Sequence, residues 1–130
     1  MKRLVTGLMV TLCASASAFA QSVAPMKKEI TSFAESFMFQ VHIKNTYDQG
    51  QISHIELFDM DWNPVEGGYT THKSAFLGAG QELVVTAMVP FKGEKFKQVY
   101  LCHSITPRVN GKGSAYRGEV CGKYIARRLS

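Results

Sequence analysis

The chain has 130 residues, 45% of them hydrophobic, with 15 lysines and arginines against 10 acids. That length suits one domain with a modest core. The basic excess contains no block of like charges, so it lacks the footprint of a nucleic-acid binder and reads as ordinary solubility.

Lys2 and Arg3 precede an apolar run from Leu4 to Leu12, and small residues lead to Ala18-Phe19-Ala20 just before Gln21. A basic head, a short apolar middle and an A-x-A end together form a bacterial-type secretory signal. The run is too short to span a bilayer core, which needs roughly 20 residues. Cys13 follows Leu12, whereas a lipoprotein signal wants a small residue there. Residues 1–20 are therefore expected to be a signal peptide and residues 21–130 a single exported domain, periplasmic or secreted. No integral membrane segment is expected once the signal is removed.

Gln21 to Ser32 is mixed and polar around Pro25, and reads as an N-terminal arm or short edge strand. Period-2 alternation then dominates. From Phe37 to Lys44 the apolar set Phe37, Phe39, Val41 and Ile43 shares one face. Asn45 to Gly50 supplies turn chemistry, and a strand from Ile52 to Asp59 turns Ile55 and Leu57 inward. After the breaks at Asn63-Pro64 and Gly67-Gly68, Tyr69 to Leu77 holds one short strand. Gly78-Ala79-Gly80 leads into Leu83–Val89, where Leu83, Val85, Ala87 and Val89 face one way until Pro90 ends the strand. A strand from Phe96 to Ile105, a turn region from Pro107 to Gly113 and a last strand from about Ala115 to Arg127 complete the chain. Short strands, one-sided alternation and Gly/Pro turns predict an all-β, immunoglobulin-like antiparallel sandwich of about seven strands.

Cys102 and Cys121 are the cysteines left after signal removal, on two successive strands. In an oxidising compartment such a pair is most simply a disulfide. Free thiols, or a metal or redox site, are the alternatives. A thiol nucleophile needs a base placed beside it, but His103, adjacent along a strand, points to the opposite face. Zinc wants four ligands, commonly in close pairs, and no C-x-x-C occurs.

Asp59-Met60-Asp61-Trp62-Asn63 imitates the start of a calcium loop, but Pro64 and Thr70 stand where an EF-hand needs Gly and Glu. The acids read instead as capping a strand end or solvating a turn. His42 and His54 flank the Asn45–Gly50 turn, and would face each other in a simple hairpin but be separated in a sandwich whose consecutive strands change sheets. No G-x-S-x-G, Walker loop or H-E-x-x-H is present, so no catalytic residue, metal or cofactor is assigned.

Several stretches resemble the N-terminal immunoglobulin-like domain of periplasmic pilus chaperones. They are the F-x-F-x-V-x-I-x-N strand Phe37–Asn45, the acidic strand end Asp59-Met60-Asp61, the Gly78-Ala79-Gly80-Gln81 turn before Leu83-Val84-Val85, and a late cysteine strand able to bridge to the final one. One chaperone subgroup carries a disulfide between its last two strands, which Cys102–Cys121 would resemble. The resemblance implies strand donation to an incomplete pilin, and a pair of basic residues holding the subunit's C-terminal carboxylate. Lys123 matches such an anchor by position, with only Lys27 and Lys28 near the start of the chain as partners. In the last strand Val120, Gly122, Tyr124 and Ala126 share one face, and Cys121, Lys123 and Ile125 the other.

The expectation is an exported, non-enzymatic protein-binding or assembly module, chaperone-like, pairing by a strand edge with a pilin-like or other exported subunit. Its partner-binding residues are expected to be Lys123, Tyr124, Arg127 and Arg128. The alternative, a secreted inhibitor or ligand-binding β-domain, would work through the Pro107–Gly118 loop stapled by Cys102 and Cys121.

Overall fold

A computed structural model describes residues 21–106 and 118–129, with nine strands and no helix among them. The strands are β1 (Gln21–Ala24), β2 (Lys27–Ser32), β3 (Ser36–Asn45), β4 (Gln51–Phe58), β5 (Tyr69–Thr70), β6 (Ser74–Leu77), β7 (Glu82–Pro90), β8 (Phe96–Thr106) and β9 (Gly118–Arg128). They form two facing sheets, ordered β1-β3-β7-β5 and β2-β9-β8-β4-β6. Every pairing is antiparallel except β2 with β9, which is parallel. The immunoglobulin-like sandwich is thus present, with two strands more than the pattern suggested.

The extra strands arise where one stretch serves both sheets. The N-terminal arm crosses at the cis Ala24-Pro25 bond: β1 borders β3 in one sheet and β2 borders β9 in the other. Residues 69–77, read as one strand, likewise divide. Tyr69 and Thr70 pair with Met88 and Ala87, whereas Ser74 to Leu77 pair with His54 to Gln51 in the opposite sheet. Thr71 fixes the exit from β5 by exchanging bonds with Thr86, its amide donating at 3.0 Å and its Oγ1 accepting at 3.1 Å.

Alternation places the core as expected. Phe37, Phe39, Val41 and Ile43 are buried from β3, and Val85, Ala87 and Val89 from β7, with Leu83 partly buried. Ile55 and Leu57 enter from β4, Val99 and Leu101 from β8, and Tyr124 and Ala126 from β9. At about 25 cal/mol per Å² of apolar surface, each large side chain contributes roughly 1.5–3 kcal/mol.

Asn45 ties the loops at one end of the sandwich. It is fully buried, and its Nδ2 donates to the carbonyls of Gln49 (2.8 Å), Leu77 (3.0 Å) and Gly78 (3.2 Å) while Oδ1 accepts from the Tyr47 amide (3.0 Å). Its backbone also accepts from Gly80 and donates to Gln81. The Asn that ends the F-x-F-x-V-x-I-x-N strand and the Gly78–Gln81 turn, noted separately in the sequence, are therefore one structural unit. Gly80 adopts φ of 70°, which suits a residue without Cβ.

Candidate functional site: the outer face and open edge of the final strand

Cys102 and Cys121 are direct cross-strand partners of β8 and β9, and their sulfurs are bonded at 2.05 Å with the Cα atoms 4.1 Å apart. Both point to the outer face of their sheet. Ligand-type atoms of Cys102, Cys121 and Glu119 lie within 4.8 Å of one another, but the S–S bond already uses both sulfurs. His103 faces the other way, fully buried, with Nε2 2.8 Å from Ser53 Oγ. Burial holds this imidazole below the usual histidine range, opposed by the Ser22 backbone and reinforced by His54.

The alternation of β9 divides the four residues expected to bind a partner. Lys123 and Arg127 point outward, Arg127 with its guanidinium 5.8 Å from the Phe96 ring centre. Tyr124 corrects the expectation: it is fully buried, stacked 4.2 Å from Phe39, and its hydroxyl donates to the Pro25 carbonyl at 2.7 Å. Burial pushes its phenol up to about 12. The ring has room because Gly122, the next residue on that face, presents no side chain. Arg128 shares the inward parity of Tyr124 and emerges at the sandwich rim beside Glu35, Pro90 and Lys92. The basic end is therefore two surfaces rather than one.

Of the two early lysines that the sequence offered as partners, Lys27 joins Lys123. Parallel pairing sets Lys27 of β2 directly opposite Lys123, and the Lys123 amide donates to the Met26 carbonyl at 2.7 Å. Among the described residues neither ammonium has an ion-pair partner. Like charges facing each other across strands repel, so the pair favours an anion between them. Lys27 and Lys123 lie some 96 positions apart, so no local pattern could have announced the match.

The same row continues into an aromatic cluster. Tyr100 is the β8 partner of Lys123, and Phe58 is the β4 partner of Tyr100. Trp62 stacks on Tyr100 with centroids 4.3 Å apart and planes at 12°, and lies tilted against Phe58 at 6.1 Å. The acidic turn places it there. Asp59 Oδ1 accepts from the amides of Asp61 (2.9 Å) and Asn63 (3.0 Å), so Asp59, the residue after β4, caps the strand end as one of the two sequence readings had it. His42 and His54 lie in opposite sheets, and His42 instead contacts Glu82 at 2.8 Å.

The last element of the site is an open edge. β2 covers β9 only from Lys123 to Arg128. From Gly118 to Gly122 the flank away from β8 carries no strand among the described residues, because the chain before Lys27 has crossed to the other sheet. Residues 107–117, all but the last residue of the expected Pro107–Gly118 inhibitor loop, lie outside the described residues, as does the expected signal at 1–20. Among the described residues no helix is long and apolar enough to cross a membrane.

This architecture is the pilus-chaperone-like immunoglobulin fold. The periplasmic chaperone SfaE superposes with a TM-score of 0.69 at 8% identity, covering 85% of this chain and 58% of that one. The SafB chaperone, solved with the SafA pilin of Salmonella enterica, gives 0.68 at 14% identity, covering 85% and 55%. A PapD-like domain of human CEP192 gives 0.62 at 8% identity, with 85% of both chains covered. This chain thus spans little more than half the length of those two chaperones. No protein-family model matches the sequence, and no curated protein matches it.

Proposed function

We propose that this chain is an exported, non-enzymatic, chaperone-like module that captures an extended segment of a surface-structure subunit on the open edge of β9. The observation that carries the reading is the Lys27–Lys123 pair at the end of that edge. A strand added beside Gly118–Gly122 lies in line with β2 and must stop where β2 begins. If it runs parallel to β9, as β2 does, its C-terminal end meets the two ammoniums. A free carboxylate there accepts charge-assisted hydrogen bonds and relieves the lysine repulsion. Main-chain pairing supplies affinity without demanding one sequence, the usual logic of strand addition.

The Cys102–Cys121 disulfide and the periplasmic neighbours support export, directed by residues 1–20 to the periplasm or beyond. The SafA–SafB structure supports a protein partner, since it holds a pilin with a chaperone of this fold.

A photo-crosslinker at Glu119, on the open half of β9, tests the reading in cells. It should join the C-terminal segment of one exported subunit, and Lys27→Glu with Lys123→Glu should abolish the adduct. Adducts that survive the double variant, or none from this position in the wild type, would overturn it. A hydrolase recovered through residues 107–117 would instead favour the inhibitor.

A further inference from the structure

Trp62 is the only tryptophan of the chain, and 53% of it is exposed. Its presentation is fixed from several sides. Its backbone holds φ of 62°, a left-handed conformation uncommon for a bulky residue. Besides the Asp59 side-chain bonds, the Trp62 amide donates to the Asp59 carbonyl at 3.1 Å and the Asp59 amide to the Asn63 carbonyl at 2.9 Å. One face of the indole lies on Tyr100, and Tyr100 is held in turn by Gln98, whose Nε2 donates to its hydroxyl at 3.1 Å. A buried tryptophan in this turn would need no such account. A half-exposed one, held in an unusual conformation on the ring next to Lys123, is a surface prepared for a ligand with both an anion and an apolar plane.

We infer that Trp62, supported by Tyr100, reads the last side chain of the captured segment and selects an aromatic residue with a free α-carboxylate. The inference rests on the capture reading above and adds the specificity element to it. The spacing suits one residue. Lys123 and Tyr100 are direct cross-strand neighbours, whose Cβ atoms lie about 5 Å apart. A C-terminal Phe or Tyr separates its carboxylate from its ring by two bonded carbons, which matches the single strand spacing of about 4.8 Å between Lys123 and Tyr100, so a carboxylate over Lys123 can turn its ring toward the indole stacked on Tyr100. Charge complementarity excludes a C-terminal amide, and the indole disfavours a small terminal residue, which leaves its exposed area wet. Phe96 and Arg127, a cross-strand pair of β8 and β9 four residues from Tyr100 and Lys123, continue the apolar and cationic character of the face.

The test uses the exported chain with its disulfide formed and three synthetic peptides of one alternating apolar sequence. They end in Phe carboxylate, Ala carboxylate or Phe carboxamide, and Trp62 emission reports binding directly. The Phe carboxylate peptide should shift that emission and bind about two- to tenfold more tightly than the Ala peptide, the range of a single aromatic contact. Calorimetry on Trp62→Ala should show that ratio falling to about one while the preference for carboxylate over carboxamide persists, and Trp62→Phe should restore part of the ratio. Equal binding of the Phe and Ala peptides by wild type, with the carboxylate preference intact, would overturn the indole reading and leave the capture reading standing. Loss of the carboxylate preference itself would overturn both. An anionic oligosaccharide such as polygalacturonate that shifts Trp62 emission when no peptide does would overturn the peptide as occupant.

Discussion

Gly122→Ala is the most direct perturbation of the final strand, because its consequence depends on where Tyr124 points. An added Cβ would lie 2.8 Å from Cζ and 3.0 Å from Cε2 of Tyr124, closer than real contacts allow, and closest to its hydroxyl. The ring cannot yield cheaply. It is stacked 4.2 Å from Phe39 on one side and tethered at 2.7 Å to the Pro25 carbonyl at its tip. Overpacking of a close-packed core costs about 1–3 kcal/mol. Displacing the hydroxyl adds about 1 kcal/mol for its hydrogen bond to the Pro25 carbonyl. The substitution should therefore destabilise by about 2–4 kcal/mol, a large part of a domain stability of about 5–15 kcal/mol. Urea unfolding measures it, and a double-mutant cycle isolates the cause. In a Tyr124→Ala background the obstructing ring is gone, so Gly122→Ala should be neutral or slightly stabilising through its effect on the unfolded chain. Additive costs would show that Gly122 is constrained by something other than Tyr124, and the inward placement of that ring would fail.

Three further outcomes follow from the same contacts. Replacing Cys102 and Cys121 together by serine opens a loop with a sequence separation of 19, and should cost about 3 kcal/mol in the chain-entropy model, lowering the melting temperature by roughly 12–24 °C. Asn45→Ala should cost about 2–4 kcal/mol by leaving the carbonyls and the Tyr47 amide around it without their partner, and amide exchange at Tyr47 and Gly80 should accelerate. His103 is held below its ordinary value of 6.5, so the unfolded chain binds the extra proton first. The contribution of this residue is thus present above about pH 6.5 and lost as the pH falls below it, and His103→Gln should flatten that part of the urea-midpoint profile between pH 7.5 and 5.

How much of this was legible in the sequence depends on the range of the interaction concerned. The faces of β3 and β7 follow from alternation alone, since a period of two is a property of the backbone and each strand reports it locally. The cysteine pair was legible from compartment chemistry, and the strand-end capping by Asp59 from its residue type. Strand division at Pro25 and after Thr70 was not, because a change of sheet leaves the local pattern extended on both sides of the crossing. Tyr124 shows a different limit. Its face was correctly grouped with Val120, Gly122 and Ala126, but nothing in β9 alone says which of two mixed faces is the inner one. That choice is made by Phe39 and Pro25, which lie about 85 and 99 positions away.

Lys27 and Trp62 lie beyond local reading for the same reason, and their positions explain why the site falls where it does. β2 occupies only part of the flank of β9, and the arm leaves that sheet one residue before Met26. Had the arm stayed in one sheet, it would have covered Gly118–Gly122 and left no edge. Had β2 run antiparallel to β9, its register with Lys123 would have placed a different residue beside that lysine. Among the described residues the crossing therefore does two things at once: it leaves a short length of strand unpaired on that flank, and it sets a cation at the end where the proposed parallel strand would finish. The capped turn after β4 then sets an indole on Tyr100, the β8 neighbour of Lys123. An edge that was merely open would be an aggregation hazard, inviting pairing of any length and register. Under the capture proposed above, this one would limit pairing to about five residues, fix its direction by charge, and offer a surface on which the final side chain can be distinguished.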